Sequence, residues 1–470
     1  MYPFAGPSVP TETRVRRIAT VMSFLAMLWV GALPAFGAPA PECGQTKPPK
    51  PDAPMTEHGQ QHCAMAEMTG TKAQASPMIA SILRHEDAGT SLEPGSTPVP
   101  MLMTTFGAWH VMFHGEAFIN EEQQSGRRGG DKLFSTSWFM PMAQRQLGPG
   151  ELTVRTMMSL EPATVTDRRY PELFQEGETA YGRPIVDGQH PHDLFMELAA
   201  FYDVKVNERT LLSFYGGPVG DPAMGPTAFP HRASASEDPL APLGHHLEDS
   251  THIADDVITA GLTYRAVRIE ASGFHGREPD EHRWNIDTGT IDSWSTRVTV
   301  SPGQNWSMQY SIAHLASPEA IRPGEDTQRM TASVMYNRPL RGGNWATTLL
   351  WGRNSDLNEH QVFNGYLAES TLHFLDRNNV WERVENVDRT SNLLLGGAAV
   401  ALNTPERFLA RVQAYTTGYD REFSWLPRVS TALGGQVTFY SKPAFLTPIY
   451  GAHPAGVVVF VRFRPEGHMH

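Results

Sequence analysis

The sequence predicts an all-β protein, a transmembrane antiparallel β-barrel of about 16 strands (range roughly 14–18), with a disordered N-terminal periplasmic segment. Three observations predict this fold: short segments of alternating apolar and polar residues, Trp and Tyr near the segment ends, and connections that alternate between short turns and long loops. Alternation alone also fits a soluble β-sandwich, which buries one face and exposes the other. The aromatic residues and long loops favour the barrel, because interfacial girdles and long outer loops are typical of outer-membrane barrels.

Composition bounds the function before any motif is considered. The chain has 470 residues, a net charge of −12, 19 His and 20 Met, but only 2 Cys. The negative charge gives no electrostatic support to nucleic-acid binding, so we expect no nucleic-acid partner. The sequence has no G-x-S-x-G nucleophile elbow, and we therefore expect no enzyme activity from its Ser, His and Asp residues.

Residues 1–37 have the layout of a secretory signal peptide. A basic region at residues 14–17 precedes an apolar run at residues 18–33, and residues 35–37 provide a cleavage site. The alternative is a membrane anchor, but the run of about 16 residues is shorter than the roughly 20 that a spanning helix needs. We therefore expect export, and the bacterial outer membrane as the destination of an exported barrel.

Residues 38–101 are rich in Pro, Ala, Thr and Ser and predict a disordered periplasmic segment. This segment contains soft and borderline donors that suit copper, especially Cu(I): Met55, His58, His62, Met65 and Met68. Cys63 is either a further ligand or the partner of Cys43 in a disulfide. The alternative is that these donors are compositional noise in a disordered linker.

Residues 102–465 are predicted to form the barrel, and residues 466–470 a short C-terminal tail. After a first strand at residues 106–118, strands are predicted at residues 134–142, 152–160, 193–206, 210–215, 257–265, 267–274, 294–300, 306–313, 330–337, 345–351, 366–375, 380–387, 393–402, 408–416, 431–440 and 457–464. Residues 417–428 and 442–455 both have the composition of loops. Placing both at the outer end of the barrel requires one strand to be added or lost.

The first predicted strand has one apolar and one polar face, because successive strand side chains point in opposite directions. Its apolar face carries Trp109, Val111 and Phe113, which we expect to contact lipid. Its polar face places three candidate metal ligands in the lumen: His110, Met112 and His114. These positions are roughly 6–7 Å apart, too far for all three to bind one ion. They predict a ladder of weak sites, or one site completed by Met157 on a neighbouring strand.

Two long loops, residues 161–190 with the adjoining H-P-H-D sequence and residues 217–253, contain the other candidate ligands. These are His190, His192, His245, His246 and His252, and the second loop also contains His231. Imidazoles that converge with nearby carboxylates would suit Cu(II) or Zn(II). The alternative is a loop ordered by hydrogen bonds from histidine to backbone, which the absence of C-x-x-C or H-E-x-x-H spacing favours.

The motifs G-R-P-I-V-D-G-Q-H-P-H-D-L-F-M-E-L-A and P-L-G-H-H-L-E-D-S-T-H resemble an uncharacterised family of bacterial outer-membrane β-barrel proteins. The organisation is also similar to that of the B-type copper-resistance outer-membrane proteins, which have a signal peptide, a Met/His-rich periplasmic stretch and then a barrel. The repeated Met-rich motifs of that second family are reduced here to residues 55–68. A TonB-dependent receptor is not expected, because residues 38–100 are too short for the folded plug of that family.

These observations predict a barrel that binds or passes a small ligand, with copper or another soft metal in efflux or resistance as the specific hypothesis. Such conduction needs coordination weak enough to release the ion. The alternative is a general diffusion pore or a structural barrel without a metal role, and an outer-membrane enzyme acting on lipid is a third class. The expected partners are outer-membrane lipids and the small ligand or metal ion.

Overall fold

The computed structural model describes residues 75–250, 254–358, 360–401 and 409–466. Six candidate metal ligands lie outside these residues: Met55, His58, His62, Met65, Met68 and His252. The predicted signal peptide, both cysteines and most of the predicted C-terminal tail also lie outside them. Within the described part of the chain, no helix has both the length and the apolar character that crossing a membrane requires.

Antiparallel strands make up most of the described chain. They are β1 Leu102–Phe106, β2 Trp109–Gln124, β3 Asp131–Leu147, β4 Gly150–Met158, β5 Tyr170–Ala180, β6 Arg183–Gln189, β7 Phe195–Asn207, β8 Thr210–Val219, β9 Asp255–Tyr264, β10 Val267–His275, β11 Ser293–Val300, β12 Trp306–Leu315, β13 Thr327–Leu340, β14 Gly343–Asp356, β15 Val362–Phe374, β16 Asn378–Thr390, β17 Leu409–Leu426, β18 Val429–Ser441 and β19 Ala455–Pro465. The short α-helices of the described residues are α1 Pro77–Ile82, α2 Glu161–Thr164, α3 His245–Glu248, α4 Ser391–Gly396 and α5 Thr447–Tyr450. Short 3-10 helices lie at Thr166–Arg168, Phe229–His231, Gly397–Ala399 and Ala444–Leu446.

Sixteen of the described strands close into a barrel. The main sheet contains 17 strands, of which β1 pairs with β2 as a short hairpin arm and is not one of the sixteen. Neighbouring strands pair antiparallel, and β19 pairs with β2 through Val461 and Ile119 to close the ring. β5 and β6 form a separate hairpin in the loop between β4 and β7. The predicted fold class and the predicted number of about 16 strands are confirmed.

The two faces of the barrel wall differ as the alternation predicts. Along β11, Trp294 and Val298 point outward and are exposed, whereas Ser295, Arg297 and Thr299 point inward and are buried. Other large apolar side chains exposed on the outer face include Leu262, Tyr310, Trp345, Leu349 and Tyr366. An apolar outer face is the arrangement that a barrel needs in lipid.

Short turns lie at one end of the barrel and long loops at the other. Residues 148–149 and 341–342 are short turns, whereas residues 159–194 and 220–254 are long loops. In outer-membrane barrels the short turns are periplasmic and the long loops are outside. β17 runs to Leu426, so residues 417–426 belong to a strand rather than to the predicted loop, and residues 442–454 form an outer loop.

The predicted strand at residues 106–118 is interrupted by a turn. Gly107 has a φ of +59°, and the turn brings Phe106 of β1 opposite Trp109 of β2. Glycine adopts this left-handed conformation without steric cost, which allows a tight hairpin at this position. The strand that contributes to the barrel therefore begins at Trp109.

The predicted strand at residues 393–402 is wrong. Helix α4 and the 3-10 helix Gly397–Ala399 occupy the described part of this stretch. Leu393 and Leu394 are adjacent in sequence and both are buried, in a cluster that includes Phe174 of β5. Burial of consecutive residues suits a helical turn within a packed loop and does not match a wall strand with one lipid-facing side.

Residues 75–101, which we call the plug segment, lie inside the barrel. The Ser76 hydroxyl caps α1 by accepting a hydrogen bond from the Ile79 N–H. The segment then runs inward to Thr90 and returns to Ser96, which bonds to Asn337 near a periplasmic turn. This part of the chain differs from the disordered segment predicted over residues 38–101, because the inner wall supplies polar partners that composition does not reveal.

Candidate functional site

The inner wall holds the plug segment through a buried arginine on β4. The Arg155 guanidinium is 0% exposed and donates hydrogen bonds to the carbonyl oxygens of His85, Asp87 and Gly89, at 2.9, 2.6 and 2.7 Å. It also forms a bidentate pair with Glu197 of β7, at 2.7 and 2.9 Å. One side chain therefore joins two wall strands to the inserted backbone.

A second inserted segment comes from the outer end. The described residues of the loop between β8 and β9, 220–250 and 254, fold down into the barrel, and we call them the inner loop. Arg232 of this loop pairs with Glu369 of β15 at 2.5 Å, and Asp238 pairs with Arg383 of β16 at 2.9 Å. All four side chains are buried. The plug segment and the inner loop together divide the lumen.

A cavity of about 400 Å³ remains at the periplasmic end. Gly343 and Ser430, beside periplasmic turns, line its entrance side. Glu86 of the plug segment, His231 of the inner loop and Trp138 of β3 line it further in. The cavity therefore leads from the periplasmic end toward the part of the wall formed by β2 and β3.

Four buried methionines lie together on this wall: Met112 of β2, Met140 and Met142 of β3, and Met157 of β4. Met112 and Met142 are directly opposite each other in the strand register. Met101, Trp138 and Met196 pack against the four as partly buried neighbours. We call the four buried methionines the methionine cluster.

Two imidazoles adjoin the methionine cluster. His114 is opposite Met140 in the strand register, and His231 of the inner loop places Nε2 2.8 Å from the Met157 sulfur. The two rings are 5.6 Å apart between centroids, and Trp138 lies 4.0 Å from the His231 ring. Thioether and imidazole are donors that suit soft metals, especially Cu(I). Buried methionines also fill irregular gaps and contact aromatic rings in proteins without metal.

The structure brings together three of the four ligands that the sequence placed in the lumen. Met112, His114 and Met157 meet at the methionine cluster, whereas His110 is exposed at the periplasmic end of β2. Sequence reasoning missed Met140 and Met142, and it assigned His231 to the outer-loop histidines rather than to this group. The two-residue spacing of the missed methionines, on a strand expected beside β2, was the available signal.

A second group of candidate ligands lies among the outer loops. One nitrogen from each of His190, His245 and His246 lies within 4.8 Å of the other two. Atoms of Glu178, His246 and Glu278 meet the same criterion. The sequence named these three histidines, and the structure places them side by side.

Burial and neighbouring charges act differently on two of these histidines. Burial lowers the pKa of His245 well below its usual value, and the adjacent His246 lowers it further. Burial alone would also lower the pKa of His246, but a hydrogen bond to Glu278 and the charges of Glu278 and Glu178 outweigh it and raise that pKa. His245 is therefore a neutral imidazole, the form that binds metals.

His192 lies between the two groups. Its Nδ1 is 2.8 Å from a carboxylate oxygen of Glu161, and its ring lies 5.9 Å from that of Phe229. A small cavity of about 40 Å³ is lined by these three residues and by Trp138, which also lines the periplasmic cavity. His192 thus belongs to neither ligand group.

The closed antiparallel wall, its apolar outer face and its polar interior define an outer-membrane β-barrel protein, and the bacterial outer membrane is its location. No family model and no curated protein matches the chain. Among solved structures it is similar to an anion-selective porin from Comamonas acidovorans (TM-score 0.44, 12% identity, covering 76% of this chain and 99% of the porin). It is also similar to Pseudomonas putida OprB at high pH (TM-score 0.46, 8% identity, 76% and 94% coverage) and to Salmonella typhi OmpF in complex with daunomycin (0.44, 8%, 77% and 100%). These likenesses concern the barrel fold alone.

Proposed function

We propose that this barrel binds a soft metal ion, with Cu(I) as the best fit, and passes it between the periplasmic cavity and the barrel interior. The observation that carries the proposal is the methionine cluster, with its two imidazoles, beside a cavity at the periplasmic end. The predicted order of the chain, with a Met- and His-containing stretch before the barrel, would suit a role in metal efflux or resistance.

The donor chemistry supports a soft ion over a hard one. The cluster offers thioether sulfurs from three adjacent strands, and His231 adds a nitrogen next to one of those sulfurs. Hard cations such as Mg²⁺ and Ca²⁺ prefer oxygen ligands, which none of these side chains provides. Thioethers and neutral imidazoles carry no charge of their own, so no ion-pair attraction adds to the coordination bonds, which suits an ion that must also be released.

A general diffusion pore or a structural barrel without a metal role is the second candidate. The observation that favours it is the 16-stranded wall, because barrels of 16–18 strands leave an aqueous channel in porins. The plug segment and the inner loop occupy the lumen in this structure. Diffusion of solutes would therefore require both inserted segments to move.

Competition titration of the purified full-length protein with Cu(I) and a chromophoric chelator tests the metal proposal. Leucine at Met140 and Met142 removes two sulfurs while nearly preserving volume. The matched control is Met335→Leu, because Met335 is an equally buried, inward-facing methionine on β13. We expect one Cu(I) site of the full chain to weaken more than about tenfold, or about 1.4 kcal/mol, in M140L/M142L and to be unchanged in M335L.

Equal Cu(I) binding by the wild type and M140L/M142L would show that the methionine cluster is only packing. Conductance in planar bilayers without metal addresses the second candidate. Steady ionic conductance that M140L/M142L leaves unchanged would favour the diffusion pore.

A further inference from the structure

Three outer loops converge at one point above the barrel interior. The loop between β4 and β7 provides Glu178 on β5 and His190 after β6, the inner loop provides α3 with His245 and His246, and the loop between β10 and β11 provides Glu278. These residues are far apart in sequence but have ligand atoms within 4.8 Å of one another in two overlapping groups. The methionine cluster shares none of them.

We propose that His190, His245 and His246 form a second metal site, for a borderline divalent ion such as Zn(II) or Cu(II), which fastens the β4–β7 loop to the inner loop beside Glu278 of the β10–β11 loop. Three imidazoles are a known ligand set for such ions, with a fourth position left for water or another ligand. Nitrogens around a tetrahedral ion lie about 3.4 Å apart, so side-chain movements on the order of 1 Å would complete the coordination.

The hydrogen bonds around His245 orient it for this role. Its Nδ1 lies 2.8 Å from the carbonyl oxygen of Pro242, so Nδ1 carries the proton and Nε2 presents its lone pair. The amide of Gln189 lies 3.3 Å from that Nε2 and can donate to it. A backbone carbonyl that fixes the tautomer is the arrangement usually found behind a histidine that binds metal.

His190 is held in a way that favours a cation. Its Nδ1 is 3.0 Å from the Pro191 carbonyl oxygen, and its Nε2 is 3.0 Å from Glu178 Oε1. Both ring nitrogens therefore face oxygen atoms, and a metal ion bound at Nε2 would lie next to the Glu178 carboxylate. Arg283 pairs with the other oxygen of Glu178. Glu178 can then balance the charge of a bound ion without leaving its arginine.

Glu278 provides a second carboxylate next to the histidine group, which supports binding of the same ion. Its Oε1 lies 3.6 Å from His246 Nδ1, and a carboxylate oxygen of Glu278 lies within 4.8 Å of one from Glu178. Glu278 and Glu178 are both buried, at 5% and 3% exposure. A divalent cation would neutralise carboxylates that belong to two different loops, and binding would therefore resist separation of those loops.

Zn(II) is the probe for this site, because it is not redox-active and Cu(I) titration reports the other site. We expect the full-length protein to bind Zn(II) and the variant His190→Gln with His245→Gln to lose one site, with its affinity falling at least about 100-fold. The control is His282→Gln, since His282 is an exposed histidine of the β10–β11 loop with an acidic neighbour, Asp280. Hydrogen exchange of β5, β6 and α3 should slow with Zn(II) in the wild type and in H282Q, but not in H190Q/H245Q.

Unchanged Zn(II) binding in H190Q/H245Q, or an equal loss in H282Q, would overturn the proposal. If H190Q/H245Q does not fold, the wild type alone decides: exchange in these loops that Zn(II) does not slow would also overturn it. The M140L/M142L variant should keep the Zn(II) site, and H190Q/H245Q should keep Cu(I) binding. Failure of one site therefore leaves the other testable.

Discussion

Removal of the Arg155–Glu197 pair should loosen the plug segment while the barrel stays folded. Substituting Arg155 alone would leave the buried carboxylate of Glu197 without its partner, which costs about 3–5 kcal/mol. Loss of plug contacts could then not be distinguished from destabilisation of the wall. The double variant R155M/E197Q removes both charges together. Glutamine keeps an acceptor for the Tyr215 hydroxyl, which lies 2.7 Å from Glu197 Oε1. The remaining loss is the set of three hydrogen bonds from Arg155 to backbone carbonyls of the plug segment.

The size of the effect follows from those three bonds. A hydrogen bond to a charged group contributes about 1.5 kcal/mol at the low end of its range, so three contribute about 4.5 kcal/mol, or more than about a thousandfold in the opening equilibrium. Hydrogen exchange at the backbone amides of Ser91 and Glu93, which bond to Ala88 and Asp87 within the segment, measures this opening.

The control for this measurement is Arg421→Met, because Arg421 is exposed on the outer face of β17. It should leave exchange of the plug segment unchanged. Heat-modifiable gel mobility reports whether the barrel remains folded in each variant. Exchange in R155M/E197Q that stays within about tenfold of wild type, with a folded barrel, would refute the idea that Arg155 holds the segment.

Two further predictions concern pH and packing. Burial, with the nearby Asp87 charge, raises the pKa of Glu93 from 4.5 to about 8. The stability that protonated Glu93 gives the plug segment is therefore present below the unfolded pKa and lost as pH rises through about 8. Hydrogen exchange of the segment, corrected for its intrinsic pH dependence, should quicken from pH 5 to pH 9 in the wild type but not in E93Q. A Cβ at Gly418 would lie 2.2 Å from the buried Trp381 ring, whereas a Cβ at Gly303 would meet nothing within 4 Å. Urea unfolding followed by gel mobility should therefore show G418A destabilised by about 1–3 kcal/mol and G303A unchanged, and equal stability of the two would contradict the packing at this position.

The fold could be predicted because the wall obeys a local rule. Trp294, Val298 and their inward neighbours on β11 alternate in the sequence as they do in the barrel, since a strand between lipid and lumen must present one face to each. The rule failed at Gly107, where a positive φ turned the chain, and at Leu393 and Leu394, where adjacent apolar residues packed in a loop. In both places tertiary packing or a single backbone angle decided the outcome.

The candidate sites could be predicted only in part. The pattern placed Met112 and His114 on an inward face, but the match of Met112 with Met142 depends on strand register, which a sequence pattern does not give. His231 reaches Met157 from a loop 74 residues further along the chain. The convergence of such distant residues is a property of the closed barrel and the loops inside it.

The same limit explains why alternation did not reveal the contents of the lumen. An inward-facing arginine occupies the same position in the apolar/polar alternation whether its side chain faces water, as in an open pore, or a buried carbonyl oxygen. Arg297 is 2% exposed and bonds to Thr90 in the plug segment at 2.8 Å and to the Gly225 carbonyl in the inner loop at 3.0 Å. Its third partner is Glu270 of β10, at 2.9 Å. If either segment withdrew, water would replace its hydrogen bond to the Arg297 guanidinium. That water would also reach the hydrogen bond from Arg297 to the other segment and weaken it. The plug segment and the inner loop therefore stabilise each other through Arg297 of the wall.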